Sequence, residues 1–283
     1  MFYILAGSVT PTNAALVAAC TELGVLAALL APEEAVRRAR PGDTALARID
    51  VLPTLDGVEP GLWELRRLAG RGVRILNELG ALLATHDKLV TAIRLASCGV
   101  PSPKSAHIGD AEPVPPLKPP LVVKPRFGSW GRDVTLCESR DEFARCVHGL
   151  RRRRWFRKHG ALVQELVPPQ GFDLRVLVAR GKIVGAIERR ARRGEWRTNI
   201  ALGGIRRSVM PSRRACATAL AAAAAVGADF VGVDLLPCST ERYVVVELNG
   251  AVDFNDTYGL GGRDPFKETV RALTVGDSGS QPS

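Results

Sequence analysis

The stretch Tyr243-Val-Val-Val-Glu-Leu-Asn249 decides how this chain folds, together with Val231-Gly-Val-Asp-Leu-Leu236 shortly before it. In an extended strand alternate side chains face the same side, so Glu247 and Asn249 project together while their apolar neighbours face the other way. The polar segment between the two apolar runs predicts a loop that returns the chain antiparallel and brings Asp234 beside them. Such converging oxygen ligands suit a hard cation such as Mg²⁺. A half-buried strand whose polar face meets solvent explains the same pattern, and this pair of strands alone favours that alternative.

The length and composition of the chain predict a soluble cytoplasmic protein with roughly two or three compact lobes. Its 283 residues are 46% hydrophobic, and no apolar run is long enough to span a bilayer. The first residues, Met1-Phe-Tyr-Ile-Leu5, lack the basic leader of a signal peptide and predict a buried strand. The six cysteines form no Cys-x-x-Cys pair and the four histidines form no cluster with them, so we expect reduced structural thiols and no zinc site.

The net charge of +10 comes mainly from arginine and indicates an acidic partner. Nucleotides, polycarboxylate substrates, an acidic protein and nucleic acid all fit this charge, and a bias in genome composition is an alternative cause. The basic runs are Arg151-Arg-Arg-Arg154 and the loop from Arg189 to Arg193. Each run is either a solvated face or a docking patch for the acidic partner.

Periodicity and turn residues divide the chain into three lobes and a tail. Residues 1–84 predict a small α/β lobe with a parallel sheet, residues 85–160 a central lobe, residues 161–275 a C-terminal lobe with an antiparallel sheet, and residues 276–283 a disordered tail. The segment 109–120 is proline-rich and is expected to lack regular structure. The expected helices are 13–23, 56–72, 84–98, 141–157, 211–227 and 265–273. The expected strands are 2–5, 24–30, 45–52, 73–77, 121–125, 134–136, 161–167, 174–179, 183–187, 231–236 and 243–249.

Two lysines lie where phosphate groups are commonly bound. Lys88 falls in the first turn of a helix that Thr85 or Asp87 caps, where helix amides and the lysine would act together on an anion. Lys124 ends an apolar strand and precedes the loop Gly128-Ser-Trp-Gly131, an arrangement that closes backbone amides over oxyanions. A solvated helix face and an ordinary hairpin turn with an exposed lysine are the alternatives.

A set of short motifs follows in a specific order along the chain. These motifs are His86-Asp-Lys-Leu89, Leu121-Val-Val-Lys-Pro125, Gly128-Ser-Trp-Gly131, Val163-Gln-Glu-Leu-Val167, Asp173-Leu-Arg175, Arg197-Thr-Asn199, Gly203-Gly204, Asp234 and Glu247-Leu-Asn249. Their order resembles that of ATP-grasp ligases, in particular the RimK and LysX branch. The resemblance covers residues from about 73 to 273 and is weaker in the N-terminal lobe. The Gly-Ser-Trp-Gly-Arg loop is similar to LysX, whereas Glu188-Arg-Arg190 and Glu195-Trp-Arg-Thr-Asn199 are similar to RimK.

The resemblance implies an ATP-grasp fold, in which an N-terminal α/β lobe is followed by two lobes that clasp ATP. Within it, Gln164 to Leu166 would bind the adenine edge, Asp173 the ribose hydroxyls, and the Gly128 to Gly131 loop would act as a lid that excludes water. The residues implied to bind ATP are Lys88, Lys124, Gly128, Ser129, Trp130, Gly131, Gln164, Glu165, Leu166, Asp173, Arg197, Thr198 and Asn199. The implied ligands of one or two Mg²⁺ ions, or of Mn²⁺, are Asp234, Glu247 and Asn249.

The implied reaction is an ADP-forming ligation that passes through an acyl phosphate and ends in an amide. Arg197 and Asn199, assisted by Arg175, would stabilise the acyl phosphate and the tetrahedral intermediate, because that step concentrates negative charge on oxygens. After the last metal ligand, LysX-type ligases usually continue with a His-Thr-x-Glu-Phe segment that sets substrate choice, and here Gly250-Ala-Val-Asp-Phe254 stands instead. The expected substrate contacts are Gly203, Gly204, Asp253 and Phe254.

The expected partners are ATP, an amino acid and an acidic carrier protein or peptide with a C-terminal glutamate, with no membrane and a homo-oligomeric state, either dimer or tetramer. One alternative is a glutamate or peptide ligase that acts on a small metabolite or natural-product precursor. Another is a non-catalytic protein on an ATP-grasp scaffold that binds nucleic acid or regulates. The intact Lys124, Asp234, Glu247 and Asn249 argue against the last alternative, and with it against nucleic acid.

Overall fold

The computed structural model describes residues 1–110, 116–239 and 242–274 of the chain. Within these ranges it contains three β-sheets, one parallel and two antiparallel, with helices packed around them. This arrangement confirms the predicted mixed α/β fold. The expected disordered tail, 276–283, and residues 111–115 of the proline-rich segment lie outside the described residues. In the ranges above, no helix is both long and apolar enough to cross a membrane.

The N-terminal lobe is built on a four-stranded sheet. Its elements are β1 (Phe2–Leu5), α1 (Pro11–Glu22), β2 (Ala27–Leu30), α2 (Pro32–Arg38), β3 (Thr44–Ala47), α3 (Leu62–Gly70) and β4 (Arg74–Leu76). The strand order is β2-β1-β3-β4, and every pairing is parallel, as predicted. Helix α1 begins after Thr10, whose hydroxyl accepts a hydrogen bond from the Asn13 amide, and Pro11 occupies its first turn.

Some expected elements of this lobe are shorter in the structure. The helix expected over 56–72 begins only at Leu62, because an isolated bridge between Val51 and Val58 holds the preceding segment in a loop. Gly61 then enters the helix with a φ of +127°, a conformation that side-chain-bearing residues rarely adopt. The strands expected over 24–30 and 45–52 are likewise trimmed, to the bounds given above for β2 and β3.

The central lobe carries the second sheet. Its elements are α4 (Leu79–His86), α5 (Lys88–Ser97), β5 (Ser105–Ile108), β6 (Leu121–Pro125), β7 (Thr135–Cys137), α6 (Arg140–Leu150), α7 (Arg154–His159) and β8 (Ala161–Glu165). The strand order is β5-β8-β6-β7, and every pairing is antiparallel. Strand β8 was expected to open the C-terminal lobe, but it lies between β5 and β6. The central sheet therefore extends to Glu165.

Two expected helices of this lobe are each divided in the structure. The helix expected over 84–98 breaks at Asp87, whose carboxylate caps α5 by accepting a hydrogen bond from the Leu89 amide at 3.0 Å. The helix expected over 141–157 is wrong as a single helix, because α6 ends at Leu150 and a new helix directs Trp155 and Phe156 into the core.

The C-terminal lobe carries the third sheet. Its elements are β9 (Phe172–Ala179), β10 (Lys182–Arg190), β11 (Ile205–Ser208), α8 (Arg213–Val226), β12 (Phe230–Ser239), β13 (Arg242–Asn249) and α9 (Pro265–Thr274). The strand order is β11-β10-β9-β12-β13, with antiparallel pairing throughout. Strands β12 and β13 pair with Asp234 opposite Glu247, which confirms the antiparallel return predicted for them. The strands expected over 174–179 and 183–187 are also present and pair antiparallel, as β9 and β10.

Helices cover both faces of the third sheet and make it a rigid platform. On one face α8 contributes small buried side chains, including Ala219 and Ala222, which allow the helix to approach the strands closely. On the other face α9 and the N-terminal lobe pack around Phe230. The N-terminal lobe is also joined to β12 by polar contacts, because the Asn77 side chain donates to the Phe230 carbonyl and accepts from its amide, both at 2.8 Å. The N-terminal and C-terminal lobes therefore share one packed core.

Candidate active site

A cleft between the two antiparallel sheets brings together most of the residues expected to bind ATP. Strands β6 and β8 of the central sheet line one side of the cleft, and strands β9, β10, β12 and β13 of the C-terminal sheet line the other. Among the described residues, the site residues expected from sequence that line this cleft are Lys88, Lys124, Gly128, Ser129, Gly131, Gln164, Glu165, Leu166, Asp173, Arg197, Thr198, Asn199, Asp234 and Glu247. These residues come from segments up to 159 positions apart, between Lys88 and Glu247, so only tertiary structure could bring them to one cleft.

Both lysines point into the cleft and are nine-tenths buried, which rules out the exposed-lysine alternatives. The Lys88 ammonium group lies 3.0 Å from a Glu247 carboxylate oxygen and donates to the Gly128 carbonyl. Lys124 donates to the Val246 carbonyl at 3.2 Å, and burial lowers the pKa of its ammonium group to about 8. Lys88 therefore links the glycine-bearing loop to a predicted metal ligand.

The glycine-bearing loop closes over the cleft and contacts the Arg-Thr-Asn segment below it. Gly131 has a φ of +70°, and a side chain there would begin only 2.9 Å from the Asn199 amide oxygen. Arg197 donates to the Gly131 carbonyl at 3.3 Å. Trp130 points outward, 55% exposed, with the Arg132 guanidinium over its ring. This packing fits a lid whose position depends on the segment beneath it.

The Arg197 guanidinium is held by an acidic neighbour that sequence reasoning did not assign. Glu195 accepts from Arg197 at 2.9 and 3.0 Å through its two oxygens, and these hydrogen bonds lower the pKa of the Glu195 carboxyl to about 2. A paired carboxylate two residues before the arginine fixes the direction of the guanidinium group. The Glu-x-Arg spacing is the sequence signal for this contact.

A buried ionic network forms the floor of the cleft. The Arg175 guanidinium binds both oxygens of Asp234, at 2.6 and 2.8 Å. Arg189 binds both oxygens of Asp173 and also reaches Asp234 at 2.8 Å, while the Thr198 hydroxyl donates to Asp173. Burial alone would raise the pKa of the Asp234 carboxyl, but the two guanidinium groups outweigh it and hold that pKa well below its ordinary value.

This network corrects one prediction and qualifies another. Arg189 was expected in a docking patch, but it is only 4% exposed, so it is unavailable to a partner protein. The signal that could have found it is strand alternation, since Ile187 and Arg189 face the same side of β10. Both Asp173 oxygens are engaged by Arg189, and the expected ribose contact of Asp173 stays a prediction.

The expected metal ligands lie at one end of the paired strands β12 and β13. Asp234 and Glu247 face each other across the pair, and each already has a cationic partner, the arginines of the network and Lys88 respectively. The Asn249 side-chain oxygen accepts from the Ala251 amide at 2.9 Å. Two carboxylates and an amide oxygen are a hard donor set of the kind Mg²⁺ prefers. The donor types therefore fit the predicted metal, and their role as its ligands stays a prediction.

The residues expected to contact substrate lie outside the lining of the cleft, as far as the described residues show. Gly203 and Gly204 stand behind the Arg197 segment, and Asp253 is exposed on its side chain by 58%. The Phe254 side chain corrects our prediction, because it is only 6% exposed and stacks on Phe266 with ring centroids 4.5 Å apart. Phe254 is thus a core residue rather than a side-chain contact for substrate.

Gly204→Ala is expected to lower turnover by about 10- to 100-fold, since displacements near 1 Å at a catalytic group have effects of this size. A side chain at Gly204 would begin 2.5 Å from the Thr198 carbonyl and 3.1 Å from that of Asn199, so the Arg-Thr-Asn segment must shift. ADP release at saturating ATP measures the effect. Gly80→Ala is the matched control, because that glycine has open space around it. Equal rates for the two variants would contradict the positioning role.

A second group of charged side chains lies at the carboxyl ends of β1 and β3. Arg48 is 4% exposed and donates to the Val252 carbonyl at 3.0 Å and to the Asp253 carboxylate at 3.4 Å. The Asp50 amide donates to a Glu59 carboxylate oxygen at 3.0 Å. Sequence reasoning missed this group, because its members come from the N-terminal lobe and from the segment after β13.

Asp50→Asn is expected to stabilise the protein at neutral pH. Burial, reinforced by the carboxylates of Glu59 and Asp253, raises the pKa of the Asp50 carboxyl from 3.8 to about 6. Because this folded-state pKa lies above the unfolded one, the native protein loses stability as pH rises through that interval, and asparagine removes the loss. The gain should be nearly absent near pH 4 and about 3 kcal/mol near pH 7.5. Urea denaturation at each pH measures it, and a gain that does not grow with pH would contradict the assignment.

The fold and the cleft together define an ATP-dependent ligase of the ATP-grasp class. The sequence profile of the RimK-like ATP-grasp domain matches residues 83–261, and the chain belongs to this family. It is accordingly an ATP-grasp carboxylate–amine ligase, a class that uses ATP to form an amide. The family assignment confirms the resemblance drawn from the ordered motifs.

Named relatives and a solved structure agree with this assignment. The chain is 30% identical over 227 residues to the glutamate–LysW ligase ArgX of Sulfolobus acidocaldarius, covering 76% of this chain and 78% of that protein. It is 31% identical over 217 residues to a probable alpha-L-glutamate ligase of Aeromonas salmonicida, covering 75% and 71%. The crystal structure of a RimK domain ATP-grasp protein from Sphaerobacter thermophilus superposes with a TM-score of 0.65 at 19% identity, covering 96% and 98% of the chains.

Proposed function

We propose that this ligase activates a carboxylate as an acyl phosphate in the cleft and joins it to the amino group of an amino acid. The proposed acceptor is the C-terminal glutamate of an acidic carrier protein or peptide. The observation that carries the proposal is the meeting of two buried lysines, the Arg197 segment and the Asp234–Glu247 pair in one cleft. That set matches the charges of a nucleotide triphosphate and of the acyl phosphate it forms.

Lys88 and Lys124 bind the phosphate groups of ATP in this proposal. Their burial supports the role, because an ammonium group held away from water interacts strongly with an anion. Gln164, Glu165 and Leu166 bind the adenine edge, since their strand β8 forms part of the wall of the cleft. The loop around Ser129 excludes water, which would otherwise hydrolyse the acyl phosphate.

Asp234, Glu247 and Asn249 would hold one or two Mg²⁺ ions, and Mn²⁺ suits the same oxygen donors. When bound, the metal neutralises charge on the terminal phosphates of ATP. Lys88 contacts Glu247 at 3.0 Å and so keeps a positive charge at this carboxylate. The Lys88 ammonium group also donates to the Gly128 carbonyl. The same positive charge therefore contacts both Glu247 and the loop that covers the cleft.

Arg197 and Asn199 stabilise the negative oxygens of the acyl phosphate and of the tetrahedral intermediate. The acceptor carboxylate attacks the terminal phosphorus of ATP and releases ADP. The amine then attacks the acyl carbon, and phosphate leaves as the amide forms. Glu195 holds the Arg197 guanidinium in a fixed direction, so little reorganisation is needed as charge develops. Arg175 assists indirectly, because its guanidinium binds the Asp234 carboxylate and holds it in position.

The acidic acceptor is supported by charge and by one named relative. The net charge of the chain is +10, and Arg151 and Arg154 remain more than half exposed although each contacts a carboxylate. The name of the relative ArgX, glutamate–LysW ligase, gives LysW as the molecule to which glutamate is joined. This name supports a carrier protein as the acceptor here. Steering by such arginines weakens with added salt.

A glutamate or peptide ligase acting on a small metabolite or natural-product precursor is the second candidate. The relatives named as probable alpha-L-glutamate ligases favour it, as does the absence of a His-Thr pair after Asn249, where Gly250 and Ala251 stand.

The test is ADP release by the full chain with each of a panel of amino acids, paired with acidic peptides ending in glutamate or with free carboxylic acids. Mass measurement of the acceptor follows. The proposal expects a peptide product heavier by one amino-acid residue, and an apparent affinity for the peptide that falls with salt. Product on small acids alone would favour the second candidate, and ADP release with no new amide would overturn both.

A further inference from the structure

The charged group beside the N-terminal sheet lies where parallel sheets commonly bind ligands. The strand order β2-β1-β3-β4 reverses direction between β1 and β3, and ligands bind outside the carboxyl ends of strands at such a switch point. Gly7 follows β1 at this edge, and Arg48 and Asp50 follow β3. The segment after the metal-site strand closes the group from the other side, because Arg48 donates to the carbonyls of Ala251 and Val252.

Two buried polar atoms in this group have no hydrogen-bond partner. Across residues 1–110, 116–239 and 242–274, the only buried side-chain nitrogen or oxygen atoms without one are Arg48 Nη1 and His86 Nε2. Both side chains are 4% exposed. An unpaired polar atom in the interior is costly and rare, so two in one place indicate a group that receives its partners from a ligand.

The two atoms are complementary to an amino acid. Arg48 Nη1 is a hydrogen-bond donor and suits a carboxylate. Burial lowers the pKa of His86 to about 4, so its ring is neutral, and the ring also bonds to the Ile49 carbonyl. That bond takes the ring N–H, which leaves a lone pair on Nε2 for a donor such as an amine. His86 lies two residues before Lys88, so the group adjoins the wall of the ATP cleft.

Carboxylates form the rim of the group and outnumber its cation. Asp50 and Asp253 lie near the single guanidinium of Arg48, and Glu59 lies beside Asp50. A Glu59 oxygen lies 3.3 Å from where a side chain on Gly7 would begin, so the glycine leaves the rim open. The excess negative charge therefore suits an organic cation, and it repels a ligand with an additional carboxylate.

We propose that the crevice formed by Arg48, Asp50, Glu59, His86 and Asp253 is the subsite for the amine substrate and selects an α-amino acid with a neutral or cationic side chain over an acidic one. This inference rests on the proposed ligase function and extends it to the class of the amine. Arg48 binds the carboxylate of the amino acid, and the acidic rim together with His86 Nε2 receives its amino group. In this arrangement Lys88 and Glu247 lie between the bound amine and the adenine end of the cleft.

Isothermal titration of the full chain, saturated with Mg²⁺ and a non-hydrolysable ATP analogue, tests this with alanine, lysine, glutamate and alaninol, which lacks the carboxylate. Alanine or lysine should bind at least about ten-fold more tightly than glutamate. The double variant Asp50→Asn/Glu59→Gln should bring that ratio to within about three-fold. Glu34→Gln, which removes a half-buried carboxylate from α2 of the same lobe, should leave this ratio unchanged.

Arg48→Lys should weaken alanine binding about ten-fold while leaving alaninol and the nucleotide analogue unaffected, because only the guanidinium fork is lost. If Arg48→Lys loses its cooperative thermal transition, the double variant Asp50→Asn/Glu59→Gln still tests whether the group is an amino-acid subsite. Glutamate binding as tightly as alanine, a ratio unmoved by the rim variants, or no binding of any amino acid would overturn the subsite. Amino-acid binding with this pattern but without ADP release under any pairing would instead overturn the proposed function.

Discussion

Glu247→Ala is expected to lower turnover at least about 100-fold, because substitutions that only support a metal ligand already cost about 10- to 100-fold. Glu247 is both the predicted metal ligand opposite Asp234 and the partner of Lys88 at 3.0 Å. Its side chain is 27% exposed to the cleft, so alanine leaves space in the cleft rather than in the packed core. ADP release measures the loss, and an unchanged thermal transition shows that the fold persists.

Glu33→Ala is the matched control, because this exposed carboxylate lies on α2, away from the cleft. It should leave turnover within a factor of about two, as expected for a surface site. Raising the Mg²⁺ concentration should partly restore a variant that binds the metal weakly. Full activity of Glu247→Ala at ordinary Mg²⁺ would remove Glu247 from the metal site.

Arg189→Ala is expected to destabilise the protein by about 3–5 kcal/mol, the range measured when one partner of a buried ion pair is removed. The Arg189 side chain is 5% exposed and holds the carboxylates of both Asp173 and Asp234. Among the described residues, alanine leaves the buried Asp173 carboxylate with the Thr198 hydroxyl as its one remaining side-chain partner, whereas Asp234 keeps Arg175. Urea denaturation of the full chain measures the change in the free energy of unfolding.

Arg190→Ala separates this effect from the loss of any arginine. Arg190 is the next residue along β10, and its side chain is 50% exposed. It pairs with Glu188 and lies over the Phe172 ring at the surface, so the expected cost is below about 1 kcal/mol. Adding Asp173→Asn to Arg189→Ala should recover part of the stability, since it removes the uncompensated charge. A loss for Arg189→Ala no larger than that for Arg190→Ala would show that the buried network contributes little.

Sequence reasoning succeeded where the determinants are local. The alternation of β12 and β13 predicted their antiparallel pairing, because side-chain period and turn residues act over a few positions. The ordered motifs identified the family, and most of the residues expected from them to bind ATP line the cleft. Element boundaries were less accurate, as at Leu150, because the end of that helix depends on where Trp155 and Phe156 enter the core.

The sequence did not predict which side chains pair with the charged residues. The sequence predicts Arg189 in a basic loop, yet its side chain is buried and binds Asp234, 45 positions away. Arg48 lies 204 positions from the Val252 carbonyl that it binds, and no local pattern identifies the distant partners of either arginine. A charge run has the same appearance in sequence whether solvent or a carboxylate faces it, and only packing distinguishes the two.

The sequence by itself therefore determined the fold class, the family and the paired strands that carry Asp234 and Glu247, because these follow from periodicity and from the order of motifs. Tertiary structure alone decided which cations compensate those carboxylates and that a second group of charged side chains forms around Arg48. The physical reason is that electrostatic pairing acts through space at a few ångströms, between side chains that chain folding brings together from distant positions.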